Sequence, residues 1–411
     1  MPMSEKSQIR RHEGPRGRVD LLLLLGLLGL ISLGVVMIAS SSIAVADSQH
    51  HQPFYFLKRH LIFLSLGFAA AAVALKTELR WLEQRAGLLL ICAVLMLLAV
   101  FVPHFGMRIN GARRWLNLGF TSFQPVEAVK LILVLYMSSY LVRHRESIET
   151  RLWGLLRPLL VAGMLVALLL AQPDFGSATL VIGVTIGLVW LGGARPFFLF
   201  LMGLPLMPAL VIAATSESYR VKRLTSFMDP WKDPFNDGFQ LTQSLMAVGR
   251  GSWDGVGLGS SILKLSYLPE AHTDFILAVI GEELGLAGIV LVLGLFGLVL
   301  WRGFTMGLRG VEIGQRYAAY VAFGVSLMLG LQVTVSVGVN LGALPTKGLT
   351  LPMISYGGSS MVLTCAMVGV LLRATFEINR ALDARRSNSR YLEALAAAAQ
   401  APAPTTARAA A

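Results

Sequence analysis

Long apolar stretches separated by polar connections dominate this chain. Ten of them lie at about residues 19–45, 57–75, 86–103, 124–142, 156–172, 174–192, 196–214, 274–301, 317–340 and 351–372. Most contain the roughly 20 residues that an α-helix needs to cross a bilayer. Tight turns at Pro173 and at residues 192–196 separate stretches five to seven, where a re-entrant pair is the alternative. The pattern predicts an all-α polytopic membrane protein with ten transmembrane helices.

One long polar segment interrupts this pattern between predicted helices 7 and 8. Residues 214–273 are polar, aromatic and Gly/Pro-rich, and the chain then enters the eighth apolar stretch at Asp274. We call this segment the long loop. Residues 239–248 within it predict an amphipathic helix resting on the membrane surface. An ordered loop of this size at one face, with a carboxylate at its junction with a helix, indicates chemistry there.

Composition supports an integral membrane protein. Hydrophobic residues make up 55% of the chain and charged residues only 14%, against roughly 25% charged residues in soluble domains. The excess of 35 Lys and Arg over 23 Asp and Glu indicates membrane topology and no nucleic-acid partner. Cys92 and Cys365 lie in apolar stretches without metal-ligand spacing, which is typical of small core residues.

The distribution of basic residues predicts the orientation. Lys and Arg are more numerous on the connections that share a side with the N-terminus, so both termini are predicted to be cytoplasmic and the long loop extracytoplasmic. We divide the chain into a basic N-terminal tail (1–18), a membrane domain (19–380) and an Ala/Pro/Thr-rich C-terminal tail (381–411) that we expect to be disordered. The first helix has no cleavage site and is expected to remain.

Asp274 is the first candidate for chemistry. It lies where a helix should begin, so it either caps that helix or acts as a general base at the membrane surface. Glu270 and His272 lie close by and could tune Asp274 or bind a cation. Their spacing defines no specific metal site.

Arginines in the short connection 104–123 are a second candidate. Arg113 and Arg114 precede Trp115 on the predicted outer side, against the usual preference of basic residues. Either they bind an anionic group such as a phosphate, or they anchor this connection among lipid headgroups beside the tryptophan.

Ionisable residues within the predicted spans form a third set. Glu127 and Lys130 lie three residues apart on one helix face and either bind substrate or form a structural ion pair. Glu282 and Glu283 are adjacent and point about 100° apart. We expect the first to share the face of Asp274 and the second to hydrogen-bond to another helix.

The segment from Pro345 to Ser360 opens the tenth stretch. Its glycines and prolines predict a broken helix entry with free backbone N–H groups, where an anion can bind. Lys347 would be the matching cation, and Ser355 lies in the same segment. The alternative is an interfacial loop with a lysine that reaches the headgroups.

Four blocks in this chain resemble the SEDS family (shape, elongation, division and sporulation) over about residues 18–380. They are Asn110 to Trp115 with Phe123 to Lys130, Gln172 to Ser177, Tyr267 to Gly285, and Pro345 to Ser360. Two of its sequences, Leu-Pro-Glu-Ala-His-Thr-Asp-Phe and Gly-Glu-Glu-Leu-Gly, resemble those of division-type members more closely than those of elongation-type members. Val126 stands where the family usually has Ser, which leaves Glu127 and Lys130 in place.

The resemblance implies a ten-helix fold and a peptidoglycan glycosyltransferase that polymerises lipid II into β-1,4-linked glycan strands for the division septum. Lipid II is a disaccharide-pentapeptide on undecaprenyl pyrophosphate. The implied location is the bacterial cytoplasmic (inner) membrane. The implied partners are membrane lipid, a class B penicillin-binding protein that supplies transpeptidation, and other divisome proteins.

The resemblance also assigns the site. It implies Asp274 as the catalytic base, and positive charge for the leaving pyrophosphate from Arg113, Arg114, Lys347 or a bound Mg²⁺ or Mn²⁺. We predict a set of substrate-binding residues: Arg113, Arg114, Glu127, Lys130, His272, Lys347 and Ser355. A lipid II flippase, an elongation-type polymerase and a non-catalytic scaffold of the division machinery remain alternatives.

Overall fold

The computed structural model describes residues 18–109, 111–117, 119, 121–201, 203–204, 215, 218–265 and 267–400. Among the described residues, the helices include α1 (Leu21–His50), α2 (Tyr55–Lys76), α3 (Leu79–Ala99), α4 (Pro125–Arg143), α5 (Arg145–Thr150), α6 (Leu152–Ala171), α7 (Phe175–Leu191), α8 (Ser218–Met228), α9 (Phe239–Gly251), α10 (Ile276–Glu312), α11 (Arg316–Asn340) and α12 (Gly358–Gln400). The strands are β1 (Gly106–Ile109), β2 (Ala112–Asn117) and β3 (Ser122–Phe123).

Eight of the described helices are long and apolar enough to cross a membrane: α1, α2, α3, α4, α6, α10, α11 and α12. Helix α7 is a shorter apolar helix of 17 residues. Predicted helix 7 lies mostly outside the described residues, although residues 196–201 are helical. The polytopic helical membrane fold is confirmed, and the count of ten helices stays a prediction.

Both ends of the membrane domain lie on the same side of the helix bundle. The side-chain amide of Asn379, in α12, donates to the backbone carbonyl of Arg18 at 3.0 Å. Asp20 caps α1 by accepting from the amide of Leu23 at 3.1 Å, and its carboxylate pairs with Arg302 of α10. A chain that returns to its starting side has crossed the bundle an even number of times.

The connection between α3 and α4 is a small antiparallel sheet with strand order β1-β2-β3. The sequence predicted an all-α fold with a plain loop here. Strands of two to six residues are too short to display a clear period of two, so the pattern hid them. The sheet matters because it fixes the direction of each arginine side chain.

The C-terminal tail differs from its prediction. Helix α12 begins at Gly358, later than the predicted 351, and continues to Gln400, whereas disorder was predicted from residue 381. The reason is composition: Ala, Leu, Glu and Arg favour helix, and no proline occurs after residue 381 until Pro402. Residues 1–17 and 401–411 of the predicted tails lie outside the described residues.

Helix α10 is broken one quarter of the way along its length. Gly285 adopts φ 65° and ψ −162°, a conformation that only glycine reaches easily. The break separates a short first part, residues 276–284, from the long part that follows. The first part is buried in the protein, and Asp274 lies two residues before its start.

Candidate functional site

The turn before α10 carries Asp274, and a neighbouring helix holds that turn in place. Asn340, fully buried at the end of α11, donates from Nδ2 to the carbonyl of Asp274 at 3.0 Å. Its Oδ1 accepts from the amide of Ala278 at 3.1 Å. The helix has no side-chain cap of its own, so the capping alternative for Asp274 is wrong.

The surroundings of Asp274 favour proton exchange near neutral pH. Burial, and next the negative charge of Glu270, raise the pKa of this carboxyl from 3.8 to about 7, against the opposing charges of Arg223 and Arg114. The side chain nevertheless remains partly accessible. A general base works best when its pKa lies near the operating pH.

Glu270 and His272 behave differently within this turn. Glu270 is exposed and accepts a hydrogen bond from the hydroxyl of Thr273 at 2.6 Å. His272 is buried, and its ring lies 4.7 Å from that of Phe56 and 5.6 Å from that of Tyr356. Burial lowers the pKa of His272, and the ring packs the turn against α2. This placement favours a supporting role over contact with substrate.

The segment between α11 and α12 brings cationic groups close to Asp274. A Cβ added at Gly348 would lie 3.3 Å from Oδ2 of Asp274, so this backbone passes directly beside the carboxylate. The adjacent residue, Lys347, places Nζ 3.6 Å from the centroid of the Phe175 ring. The backbone next to Lys347 thus passes Asp274 while its ammonium group lies on Phe175, and its role in substrate binding stays a prediction.

Arg223 is a site residue that the sequence did not reveal. It lies on α8 of the long loop and donates to the carbonyl of Thr346 at 3.2 Å. Its charge also acts on Asp274. The available signal was the run of basic residues at 220–223, which breaks the outer-side preference just as Arg113 does.

The two arginines predicted as a pair separate in the structure. Successive residues of a strand point to opposite faces. Arg114 turns toward the site, where it donates to the carbonyls of Gln172, at 3.3 Å, and Pro173. Arg113 is exposed and lies opposite Arg108 on β1. Only Arg114 joins the group around Asp274.

Glu127 and Lys130 form a buried ion pair. Lys130 Nζ lies 2.8 Å from a carboxylate oxygen of Glu127 and donates to the side chain of Gln332 at 3.0 Å. Gln332 in turn donates to the carbonyl of Thr350 at 3.0 Å. With Lys130 1% exposed and Glu127 6% exposed, this geometry favours the structural alternative: the pair ties α4, α11 and the segment beside Asp274 together.

Ser355 has a local structural partner. Its hydroxyl accepts from the amide of Leu351 at 2.8 Å, and the residue is buried. This bond closes the turn that precedes α12, which favours shaping of the backbone over direct contact with substrate.

Glu282 and Glu283 are both completely buried. Glu283 accepts from the hydroxyl of Ser40 on α1 at 2.7 Å, as expected of a residue bonded to another helix. Each carboxylate also pairs with a cation of the long loop, Glu282 with Arg250 and Glu283 with Lys264.

The described residues do not fit a protein-held metal. Among them, no group of three or more His, Cys, Asp or Glu side chains is arranged to hold an ion. The expectation of Mg²⁺ or Mn²⁺ therefore stays a prediction, and we derive no step through such an ion.

Comparison with known proteins identifies the family. Residues 20–380 match the cell cycle protein family model of FtsW, RodA and SpoVE. The chain belongs to this family. It is 50% identical over 374 residues to a probable peptidoglycan glycosyltransferase FtsW of Xanthomonas oryzae pv. oryzae, covering 91% of this chain and 76% of that protein. It is 49% identical to the protein of the same description in Thioalkalivibrio sulfidiphilus, covering 87% of this chain and 89% of that one.

Solved structures of the family share the fold. A chain of a peptidoglycan synthase complex, studied for structural coordination of polymerization and crosslinking, superposes with a TM-score of 0.72 at 32% identity, covering 88% of this chain and 98% of that chain. The rod shape determining protein RodA of Thermus thermophilus gives a TM-score of 0.63 at 29% identity, covering 87% and 96%. The resemblance inferred from the four blocks is confirmed.

Proposed function

We propose that this protein is a peptidoglycan glycosyltransferase that polymerises lipid II for the division septum, with Asp274 as its general base. One observation carries the proposal. A partly accessible carboxyl with a pKa of about 7 is acted on by the charges of Arg114 and Arg223, and it lies against the backbone at Gly348, next to Lys347. An acid that can take a proton, set among cations that can bind a pyrophosphate, matches the needs of this reaction.

The proposed step is a displacement at the anomeric carbon of the donor sugar. Asp274 accepts the proton of the acceptor sugar's 4-hydroxyl as its oxygen forms the new bond to that carbon. The bond from the same carbon to the pyrophosphate oxygen breaks, and undecaprenyl pyrophosphate leaves with the electron pair. A single carboxyl suffices because the leaving group needs no proton. Glycoside hydrolysis, by contrast, uses two carboxyls.

Cations around Asp274 supply the charge that this leaving group requires. Arg114 and Arg223 act on the carboxyl electrostatically, and Lys347 adjoins the glycine beside it. Guanidinium groups bind phosphate oxygens in a planar, two-pronged geometry. Charge that develops on the pyrophosphate in the transition state would thus meet donors already in place.

The relatives favour a division-type polymerase over the alternatives. Identity to proteins described as FtsW reaches 50%, against 29% to RodA. A flippase would need a continuous polar path across the bilayer. The buried acids Glu127, Glu282 and Glu283 are instead neutralised by adjacent cations. A scaffold without activity would not require Asp274.

Polymerisation of lipid II by the purified full-length protein tests the proposal. Asp274→Asn keeps the side-chain volume but cannot accept the proton, so we expect the rate to fall by at least about 100-fold. Asp254→Asn, an exposed acid of the long loop, makes the same charge change and should keep the wild-type rate. Wild-type polymerisation by the Asp274 variant would remove the general-base role.

We further propose a single-span class B penicillin-binding protein as the partner. Its transmembrane helix would pack on the side of α10 that is exposed and faces away from the rest of the bundle. Gly294 and Gly297 have open space around them, and Val290 and Leu293 beside them are 58% and 40% exposed. Small residues let a second helix approach closely within a bilayer. Gly285 and Gly288 of α10, and Gly324 and Gly330 of α11, by contrast, already face neighbouring groups of the chain.

Leucine at Gly294 and Gly297 should prevent this contact and leave the isolated polymerase folded. The test is co-purification of the full-length protein with the penicillin-binding protein from detergent, with polymer yield measured alone and in the complex. Gly163→Leu, at another open helical glycine, is the matched control. Retained complex formation in the Gly294 and Gly297 variant would place the partner elsewhere.

Membrane orientation and location follow from this proposal. A polymerase of lipid-linked sugars for the cell wall needs its site on the outer face of the cytoplasmic membrane, with both termini cytoplasmic. Reporter fusions at residue 411 and within residues 214–273 check the orientation, and a fluorescent fusion checks enrichment at the septum.

A further inference from the structure

The break in α10 leaves backbone groups without helical partners in the middle of a membrane helix, and one turn of the long loop supplies them. Residues 252–257 dock against Gly285, where a Cβ on Gly255 would collide with the carbonyl of Glu283. Four backbone hydrogen bonds join turn and break: Val256 N to Glu282 O at 2.9 Å, Gly257 N to Glu283 O at 3.1 Å, Leu286 N to Ser252 O at 2.9 Å, and Ala287 N to Trp253 O at 3.2 Å.

Two buried carboxylates secure this docking. Glu282 accepts from Arg250 at 2.9 Å, from the amide of Ile262 at 3.1 Å and from the hydroxyl of Ser261. Its oxygens thus hold the loop on both sides of the turn at 252–257.

Glu283 connects the loop to a second helix. It accepts from Lys264 at 2.6 Å and from Ser40 of α1 at 2.7 Å, while Lys264 also donates to Ser40 at 2.9 Å. Lys264 is itself buried, 6% exposed. These three side chains therefore form a closed set of contacts inside the membrane domain.

The first part of α10 is consequently held at both of its ends. Asn340 fixes its beginning through Asp274 and Ala278, and the docked turn with its two ion pairs fixes its end. Nine residues, 276–284, lie between these anchors. A shift at the break would move this short helix as a body and carry Asp274 with it.

We propose that Glu282 and Glu283 are positioning residues, which place the Asp274 carboxylate through the docked turn and the short helix 276–284. The inference rests on the proposed function, in which Asp274 is the base. Buried ion pairs add little net stability compared with apolar packing, but they select one geometry. A misplacement of about 1 Å can cost about 100-fold in rate, so a device that fixes this end of the helix affects catalysis directly.

The test uses the purified full-length protein and lipid II. In Glu283→Gln and Lys264→Met, we expect kcat per folded molecule to fall by at least about 10-fold while KM changes by less than about twofold, because the substrate-binding cations stay in place. Lys264→Arg keeps the charge and should recover most of the lost kcat. Glu312→Gln, an exposed acid at the far end of α10, makes the same side-chain change away from the docked turn and should match the wild type.

The pH profile separates positioning from simple stability. The rate is expected to rise with pH as Asp274 loses its proton. If Asp274 moves relative to Glu270, Arg114 and Arg223 in Glu283→Gln, the pH range of this rise (the rising limb) shifts. A purely structural role would lower yield and melting temperature but leave kcat per folded molecule and the limb unchanged, and that result would overturn the proposal. If Glu283→Gln does not accumulate, Ser40→Ala removes one hydrogen bond from Glu283 and allows the same test with a smaller effect.

Failure of the proposed function is recognised separately. Asp274→Asn is measured in the same assay, and wild-type activity in that variant would refute the base itself. Loss of activity in Asp274→Asn together with wild-type kcat and pH profile in the Glu283 and Lys264 variants would refute only the positioning role.

Discussion

Two carboxylates, each near the start of a membrane helix, have contrasting surroundings. Glu127 lies in the first turn of α4, is 6% exposed and has Lys130 Nζ 2.8 Å away. Asp274 precedes α10 and is partly accessible, and none of the ion pairs within 4 Å found among the described residues includes it. Its pKa rises to about 7 through burial and the charge of Glu270.

Under the proposed function, this difference in surroundings is what suits Asp274 to be a general base and Glu127 to be a structural partner. An adjacent ammonium group stabilises the ionised form of a carboxylate, so such a carboxylate is poorly suited to accept a proton. The position of Glu127 instead suits it to hold helices together. A carboxylate that makes no ion pair at contact distance among the described residues, and that has an acid nearby, can exchange a proton at neutral pH. The sequence displays both simply as acids near helix starts, and their neighbours in the fold assign the roles.

The largest effect should come from breaking the buried pair. Glu127→Gln or Lys130→Met leaves one buried charge without its partner, and we expect each to destabilise the protein by about 3–5 kcal/mol. Thermal unfolding of the purified variants measures this. Glu149→Gln is the matched control, because its pair with Arg145 is exposed and should contribute about 0.2–1 kcal/mol.

The double variant sharpens this prediction. Removing Glu127 and Lys130 together should cost less than the two single losses added, because the second change removes a charge that the first left unpaired. Additive losses would show that the two residues do not interact and would remove the contrast with Asp274.

The membrane architecture was predictable because its cause is local in the sequence. A bilayer requires about 20 apolar residues for each crossing, so the long apolar stretches predicted α1, α4 and α11 to within five residues at each end, and the start of α10 to within two. The long loop, and Asp274 directly after it, were predictable for a related reason, since a polar segment of that length interrupts the pattern.

The features that the sequence did not predict depend on contacts between residues far apart in the chain. Arg223 reaches the site by bonding to Thr346, 123 residues away, and nothing local indicates that contact. The separation of Arg113 from Arg114 follows from strand alternation in a sheet too short to be predicted. The break at Gly285 is stabilised by loop residues about 30 positions earlier, so the sequence indicated one continuous span.

A smaller effect is expected on KM for lipid II, and it should distinguish the arginines around Asp274 from Arg113, which lies apart from it. Arg114→Ala and Arg223→Ala should each raise KM for lipid II, by about 10-fold, if each guanidinium loses a charge-assisted bond to the pyrophosphate. Arg113→Ala removes the same charge from the adjacent, exposed strand position and should change KM little. The dependence of initial rate on lipid II concentration gives all three values, and equal effects at Arg113 and Arg114 would contradict the separation by strand alternation.

The smallest effect is a shift in pH dependence, and it tests the origin of the reactivity of Asp274. Because the base must be ionised, kcat/KM should rise with pH through about 7, where Asp274 loses its proton. Glu270 raises this pKa and Arg223 lowers it. Glu270→Gln should therefore move the rising limb to lower pH, and Arg223→Ala should move it to higher pH.

Initial polymerisation rates across neutral pH at low lipid II concentration measure both shifts. Glu146→Gln, on α5 at the opposite end of α4, is the control and should leave the limb in place. Movement of the two limbs in the same direction would contradict this electrostatic account of Asp274 and weaken its contrast with the neutralised Glu127.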